Sequence, residues 1–217
     1  MPWTHLALPE GGWARVYQPE GPGPWPVFCL LHGWTGNEHA MEPFTKWLPA
    51  GIWVLFRAPF PQEEGGYGWI PRLPRHRRST VEDYRVAVEV LETWLPALQE
   101  ALSHGQWSQV HWMGFSQGAG VATLFALLHP ETMRTLASIV GFVPLGTEAL
   151  VREGMWRGKR VFATWGTRDP IISIARAQEM ENLLRRTGAS LTVCYAEVGH
   201  KLGAKCREEL RRFYAGE

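Results

Sequence analysis

Two spacings of apolar residues alternate along the chain. Short runs rich in β-formers occupy positions 13–18, 27–31, 52–56, 110–113, 136–140, 160–165 and 191–195. Between them the apolar positions recur every three to four residues. The clearest case is 80–102, where Val81, Tyr84, Val88, Leu91, Leu95, Leu98 and Leu102 share a face. Similar spacing covers 38–48, 117–128, 174–186 and 201–213. Thr80 or Ser79, followed by acids at 82 and 83, marks a helix start, and Gly188 marks a stop. Nearly continuous apolar strands separated by helices predict an α/β fold with a mostly parallel central sheet and helices on both faces. The strand at 13–18 is expected to form a hairpin with the strand at 27–31, through a turn rich in Pro and Gly at 19–26. With no internal repeat and no dividing linker, one domain over 1–217 is expected.

The stretch 57–79 breaks both periods. An irregular loop of this length is uncommon in a small domain and is often functional. It follows the carboxyl end of a strand, where α/β proteins build sites, so it is expected to contribute to one.

Charge excludes some functions. The 217 residues carry 22 Lys and Arg against 21 Asp and Glu, a formal net charge of +1. That balance is no footprint for a nucleic acid. No apolar run of about 18 residues is present to span a bilayer, and the first residues lack the pattern of a signal peptide. The 3 cysteines are too few and too odd in number for a disulfide scaffold. Cys29, Cys194 and Cys206 are therefore read as free thiols, which favours a reducing, cytoplasmic location.

The chemistry enters at 114–118. The run Gly114-Phe115-Ser116-Gln117-Gly118 follows a strand and opens an apolar helix, which is the strand–turn–helix context of the G-x-S-x-G nucleophile elbow. A serine there stands at a helix N-terminus, where free N–H groups can receive a developing oxyanion. It needs a base and an acid to orient that base, which in this motif follow in the order acid, then histidine. The only aspartates are Asp83 and Asp169, so Asp169, just past the strand at 160–165, is the candidate acid. Glu197 is the alternative, although its position suits loop support. Two histidines follow the serine. His129 closes the elbow helix, and His200 follows the strand at 191–195, so His200 is the candidate base. The backbone N–H of Trp34, in the loop after strand 27–31, is expected to pair with that of Gln117 as the oxyanion donors. His32 is read as a brace for that loop rather than a base.

With these residues in hand, the chain resembles the small α/β-hydrolases of the phospholipase/carboxylesterase family, which includes acyl-protein thioesterase-like enzymes. The resemblance is carried by LLHGWTGNE, GYGWIP, GFSQGAG, WGTRDPIISI and VGHKL, over positions 30 to 202. It implies an α/β-hydrolase fold with little or no cap. It also implies hydrolysis of carboxylic esters through an acyl-serine, with Ser116, Asp169 and His200 catalytic, Trp34 and Gln117 giving the oxyanion hole, and no metal or organic cofactor. Trp34 is bulkier than the residues common at its position, which implies a preference for short- to medium-chain acyl groups. Trp69 resembles the aromatic beside the acyl site, and is expected with Trp34 to wall the substrate pocket. The expected partner is a small-molecule ester, and the chain a monomer or homodimer. The alternatives are a lysophospholipase or acyl-protein thioesterase, or another serine hydrolase chemistry. A dienelactone-type enzyme would ordinarily hold cysteine at the elbow, and a lipase a lid longer than 143–158. A binding protein on the same scaffold would be expected to lose a triad residue, and all are present.

Overall fold

The computed structural model describes residues 3–74 and 77–216. In chain order the strands are β1 (Thr4–Leu8), β2 (Gly12–Tyr17), β3 (Val27–Leu31), β4 (Ile52–Arg57), β5 (Phe60–Pro61), β6 (Tyr67–Gly68), β7 (Val110–Phe115), β8 (Met133–Ile139), β9 (Arg160–Gly166) and β10 (Ser190–Ala196). The helices are α1 (Val81–Ala101), α2 (Gln117–Leu128), α3 (Ile174–Arg186) and α4 (Ala204–Ala215). Eight strands form one sheet in the order β1-β2-β4-β3-β7-β8-β9-β10. The pairs β1/β2 and β2/β4 are antiparallel, and the rest are parallel.

Alternation within the strands explains why both faces are covered. In β3, Val27, Cys29 and Leu31 pack with α1, α2 and α3, whereas Phe28 and Leu30 pack on the other side with α4. Every residue of β3 is buried, as expected for a strand lying between two helical layers. This is the α/β-hydrolase topology. Between β8 and β9, where a cap would be inserted, the only helical element is a 3-10 turn at Thr147–Leu150. Among the described residues no helix is long and apolar enough to cross a membrane.

Three expectations need correction. First, β2 does not form a hairpin with β3. It pairs with β1 and β4, with Trp13 opposite Arg57 and Tyr17 opposite Trp53. The segment 19–26 is carried away from β2 by two backbone bonds, from Trp25 N–H to His104 and from Gln106 N–H to Trp25, and β3 enters between β4 and β7. The true hairpin partner, β1, escapes a pattern search because only Leu8 of its residues is buried.

Second, 38–48 forms not an α-helix but a 3-10 segment, Glu42–Trp47, with Pro43 in its first turn.

Third, Cys194 and Cys206 are not free. They form a disulfide across 12 residues, from β10 to α4. Counting cysteines could not detect that the intervening loop doubles back and brings the pair together. The bond removes the premise on which cysteine usage favoured a reducing compartment. Cys29 is free and buried.

Candidate active site

The parallel strands β3, β7 and β9 all end on one edge of the sheet, and the candidate residues sit in the loops that follow. At the end of β7 the chain turns sharply into α2. Ser116 makes the turn with φ 51° and ψ −113°, a conformation strained for any residue bearing a Cβ. Its N–H is held by the Ile139 carbonyl at 2.9 Å, and its side chain does not cap the helix it precedes. The turn is tight on both sides. A Cβ on Gly114 would strike the backbone of Gly118 and Ala119, and one on Gly118 would strike the Leu31 and His32 carbonyls.

Asp169 and His200 meet across two loops. The Asp169 side chain is fully shielded from solvent. Its Oδ1 accepts from the N–H groups of Ile171 (2.8 Å) and Ile172 (3.0 Å), and its Oδ2 lies 2.8 Å from His200 Nδ1. Three donors thus fix the carboxylate and, through it, the imidazole plane. The loops are laced together by the N–H of Thr167 on Ala196 O and of Arg168 on Val198 O. The His200 ring stands edge-on to Phe115, centroids 5.3 Å apart, which places it beside the residue preceding Ser116. The disulfide ties both ends of the histidine loop, since Cys194 and Cys206 lie on either side of it.

The competing residues have other partners. Glu197 forms an ion pair with Arg168. His129 closes α2 and bonds Glu92 at 2.7 Å. Asp83, the other aspartate, completes a capping box with Thr80 at the start of α1.

The loop after β3 runs past the serine. A Cβ on Gly33 would stand 3.4 Å from Ser116 Cβ, so the Trp34 amide follows immediately beside the elbow. His32 is fully buried. Its Nε2 accepts from Ala58 N–H at 3.1 Å, which leaves the proton on Nδ1 to bond Gly33 O at 2.7 Å. Burial pushes its pKa down to about 4, so it is a neutral brace. The 57–79 segment carries the small β5/β6 ribbon, and Tyr67 N–H bonds Gly36 O. Sequence gave no hint that the Gln117 side chain would anchor this segment, by accepting from Trp69 N–H at 2.9 Å.

Trp34 and Trp69 turn out differently. Trp34 is 48% exposed and separates two depressions. One is a cleft of about 650 Å³, lined in part by Gln117, Ile70, Tyr84, Phe142 and Arg176. The other is a groove of about 290 Å³, lined by Gly33, Met41, Phe44 and Phe115 among others. The neighbours of Ser116 in sequence, Phe115 and Gln117, therefore face opposite sides of Trp34. Trp69 does not wall either depression. It is fully buried, and its indole N–H donates to the His32 carbonyl at 2.8 Å, so it is a plug that fixes the loop. Residues 70–74 and 77–79 of the same segment do line the cleft. The basic run at 72–78 is dispersed: Arg72, Arg77 and Arg78 engage Glu63 and Glu64, Asp83 and Glu179 respectively, while Arg75 and His76 lie outside the described residues.

Among the described residues, His5, Glu38 and His39 bring ligand-type atoms within 4.8 Å of one another. Arg57 already binds the Glu38 carboxylate, and Arg15 lies 2.8 Å from His39 Nδ1. The cluster has its positive charge from within.

The model of the dienelactone hydrolase family matches residues 13–212. The chain belongs to the dienelactone hydrolase family. This is an α/β-hydrolase family related to the carboxylesterases and phospholipases that the motifs resemble, and its general chemistry is that of serine hydrolases and esterases. The chain is 26% identical over 191 residues to MhqD of Bacillus subtilis (strain 168), covering 87% of this chain and 92% of that one. In fold it is similar to a Bacillus cereus carboxylesterase (TM-score 0.83, 22% identity, 96% and 95% of the two chains). It is also similar to a carboxylesterase from Mesorhizobium loti (TM-score 0.77, 20% identity, 98% and 99%). Within the dienelactone hydrolase family, this member holds serine where cysteine is expected of a dienelactone-type enzyme.

Proposed function

We propose that the protein is a carboxylesterase that cleaves short- to medium-chain acyl esters through an acyl-serine. The observation that carries this reading is the conjunction of a strained, uncapped Ser116 with an Asp169–His200 pair whose imidazole packs on the adjoining Phe115.

The Asp169–His200 pair and the elbow support the following steps. Ser116 Oγ attacks the ester carbonyl while His200 takes its proton at Nε2. Asp169 holds the Nδ1 proton in place and stabilises the imidazolium. The oxyanion is received by the backbone N–H groups of Trp34 and Gln117, the latter at the start of α2. His200 then returns the proton to the leaving alcohol, and water releases the acid by the same route. The bulk of Trp34, standing between the two depressions, supports a limited acyl length.

A series of 4-nitrophenyl esters from acetate to palmitate tests the reading. The expected kcat/KM peaks at or below about eight carbons, and Ser116→Ala loses at least about 10³-fold on every ester. A palmitate optimum would overturn the acyl-length assignment. Activity retained by Ser116→Ala would overturn the nucleophile.

A further inference from the structure

We infer that the ester taken by this site is anionic: its charged arm is received by Arg176 in the cleft on the Gln117 side of Trp34, and its uncharged arm lies in the apolar groove on the other side. The inference rests on the serine-esterase reading and narrows its substrate class.

Four arginines line the cleft: Arg72, Arg77, Arg78 and Arg176. The first three have carboxylate partners at 2.8 Å. Among the described residues Arg176 has none, and its Nε is buried without a hydrogen-bond partner. The guanidinium lies over the Phe142 ring, 4.2 Å from the centroid, with Nε closed off from solvent, while the residue still lines the cleft. Tyr84 and Glu179 favour the cation, but the influences that oppose it outweigh them. Burial, followed by the like charge of Arg78, pushes its pKa below the usual arginine value. It also stands in the first turn of α3, where the helix dipole disfavours positive charge. An arginine does not relieve such a position by losing its proton. An anion entering the cleft relieves all three oppositions at once, and charge-assisted bonds to a guanidinium are among the strong ones. The other side of Trp34 differs in character, since Met41, Phe44 and Phe115 offer apolar surface and no charged residue lines it. A substrate spanning Ser116 therefore meets charge on one side and hydrocarbon on the other.

The test compares esters matched in size. The 4-nitrophenyl monoester of glutaric acid is set against 4-nitrophenyl valerate, which places the charge on the acyl arm. In a second pair, 4-(butanoyloxy)benzoate is set against phenyl butyrate, which places it on the alcohol arm. The expected result is a kcat/KM ratio of about tenfold or more for the charged member of one pair. That ratio should collapse toward one in Arg176→Met and fall with added salt. In the unaltered protein, free glutarate should also inhibit valerate hydrolysis competitively, a readout that needs no variant to fold. No preference in either pair, or a preference that survives Arg176→Met, overturns the inference while leaving the esterase reading intact. Failure to cleave any of the esters overturns the esterase reading instead.

Discussion

At the scale of single residues, Ser116 concentrates the conflict between stability and chemistry. Its positive φ stores strain, of order 1–3 kcal/mol, that only glycine relieves. Ser116→Gly should therefore be more stable than Ser116→Ala by about 1 kcal/mol in urea unfolding, with both inactive. Equal stability would mean that the turn is not strained. Asp169→Asn should cost about 10⁴-fold in kcat, because an amide donor facing Nδ1 forces the proton onto Nε2.

A pH dependence follows from two other histidines. Burial holds His32 and His111 each near a pKa of about 4, against about 6.5 unfolded. The unfolded chain therefore binds more protons below pH 6.5, and stability falls as pH drops from 6.5 through 4, by up to about 3 kcal/mol per group. Urea midpoints at pH 7 and pH 5 should show that fall, and His111→Gln should reduce it. These single positions were the most legible part of the sequence. With only two aspartates, one capping α1 and the other past β9, elimination and motif order led to the same acid. Arg176 was not legible, because an unpaired arginine differs from a paired one only in what surrounds it.

At the scale of elements, legibility followed burial pattern. β3, β4 and β7 to β9 announce themselves because a strand between two helical layers is largely apolar, whereas β10, at the sheet edge, is only half-buried but still rich in β-formers. β1 is an exposed edge, and the β1–β2–β4 order depends on contacts of the 19–26 segment with residues 104–106, which no local pattern reports. The tryptophans, 12 in all, act at this scale. Six of the 12 indoles, at positions 53, 69, 94, 107, 156 and 165, donate to backbone carbonyls. Trp165, for example, braces Gly141 at 2.7 Å. Trp165→Phe keeps most of the buried ring but leaves that carbonyl unpaired, and should cost about 1–3 kcal/mol.

The disulfide is a further staple on an element, the histidine loop. Replacing both Cys194 and Cys206 by serine should lower stability by about 3 kcal/mol from the 12-residue separation alone. Denaturant midpoints measure this, and an unchanged midpoint would mean that packing already constrains the loop.

At the scale of the molecule, the sheet gathers loops from β3, β7, β9 and β10 on one edge, and no cap lies between β8 and β9 to close over them. An open site divided by Trp34 follows from that economy of chain. Ser116 Oγ is the proposed nucleophile. The most direct measurement uses a 4-nitrophenyl alkylphosphonate, which traps an activated serine. One equivalent of 4-nitrophenolate should be released as activity is lost, with the adduct on the peptide containing Ser116 by mass spectrometry and none formed by His200→Ala at a comparable rate. An adduct on another residue, or full inactivation with Ser116 unmodified, would contradict it.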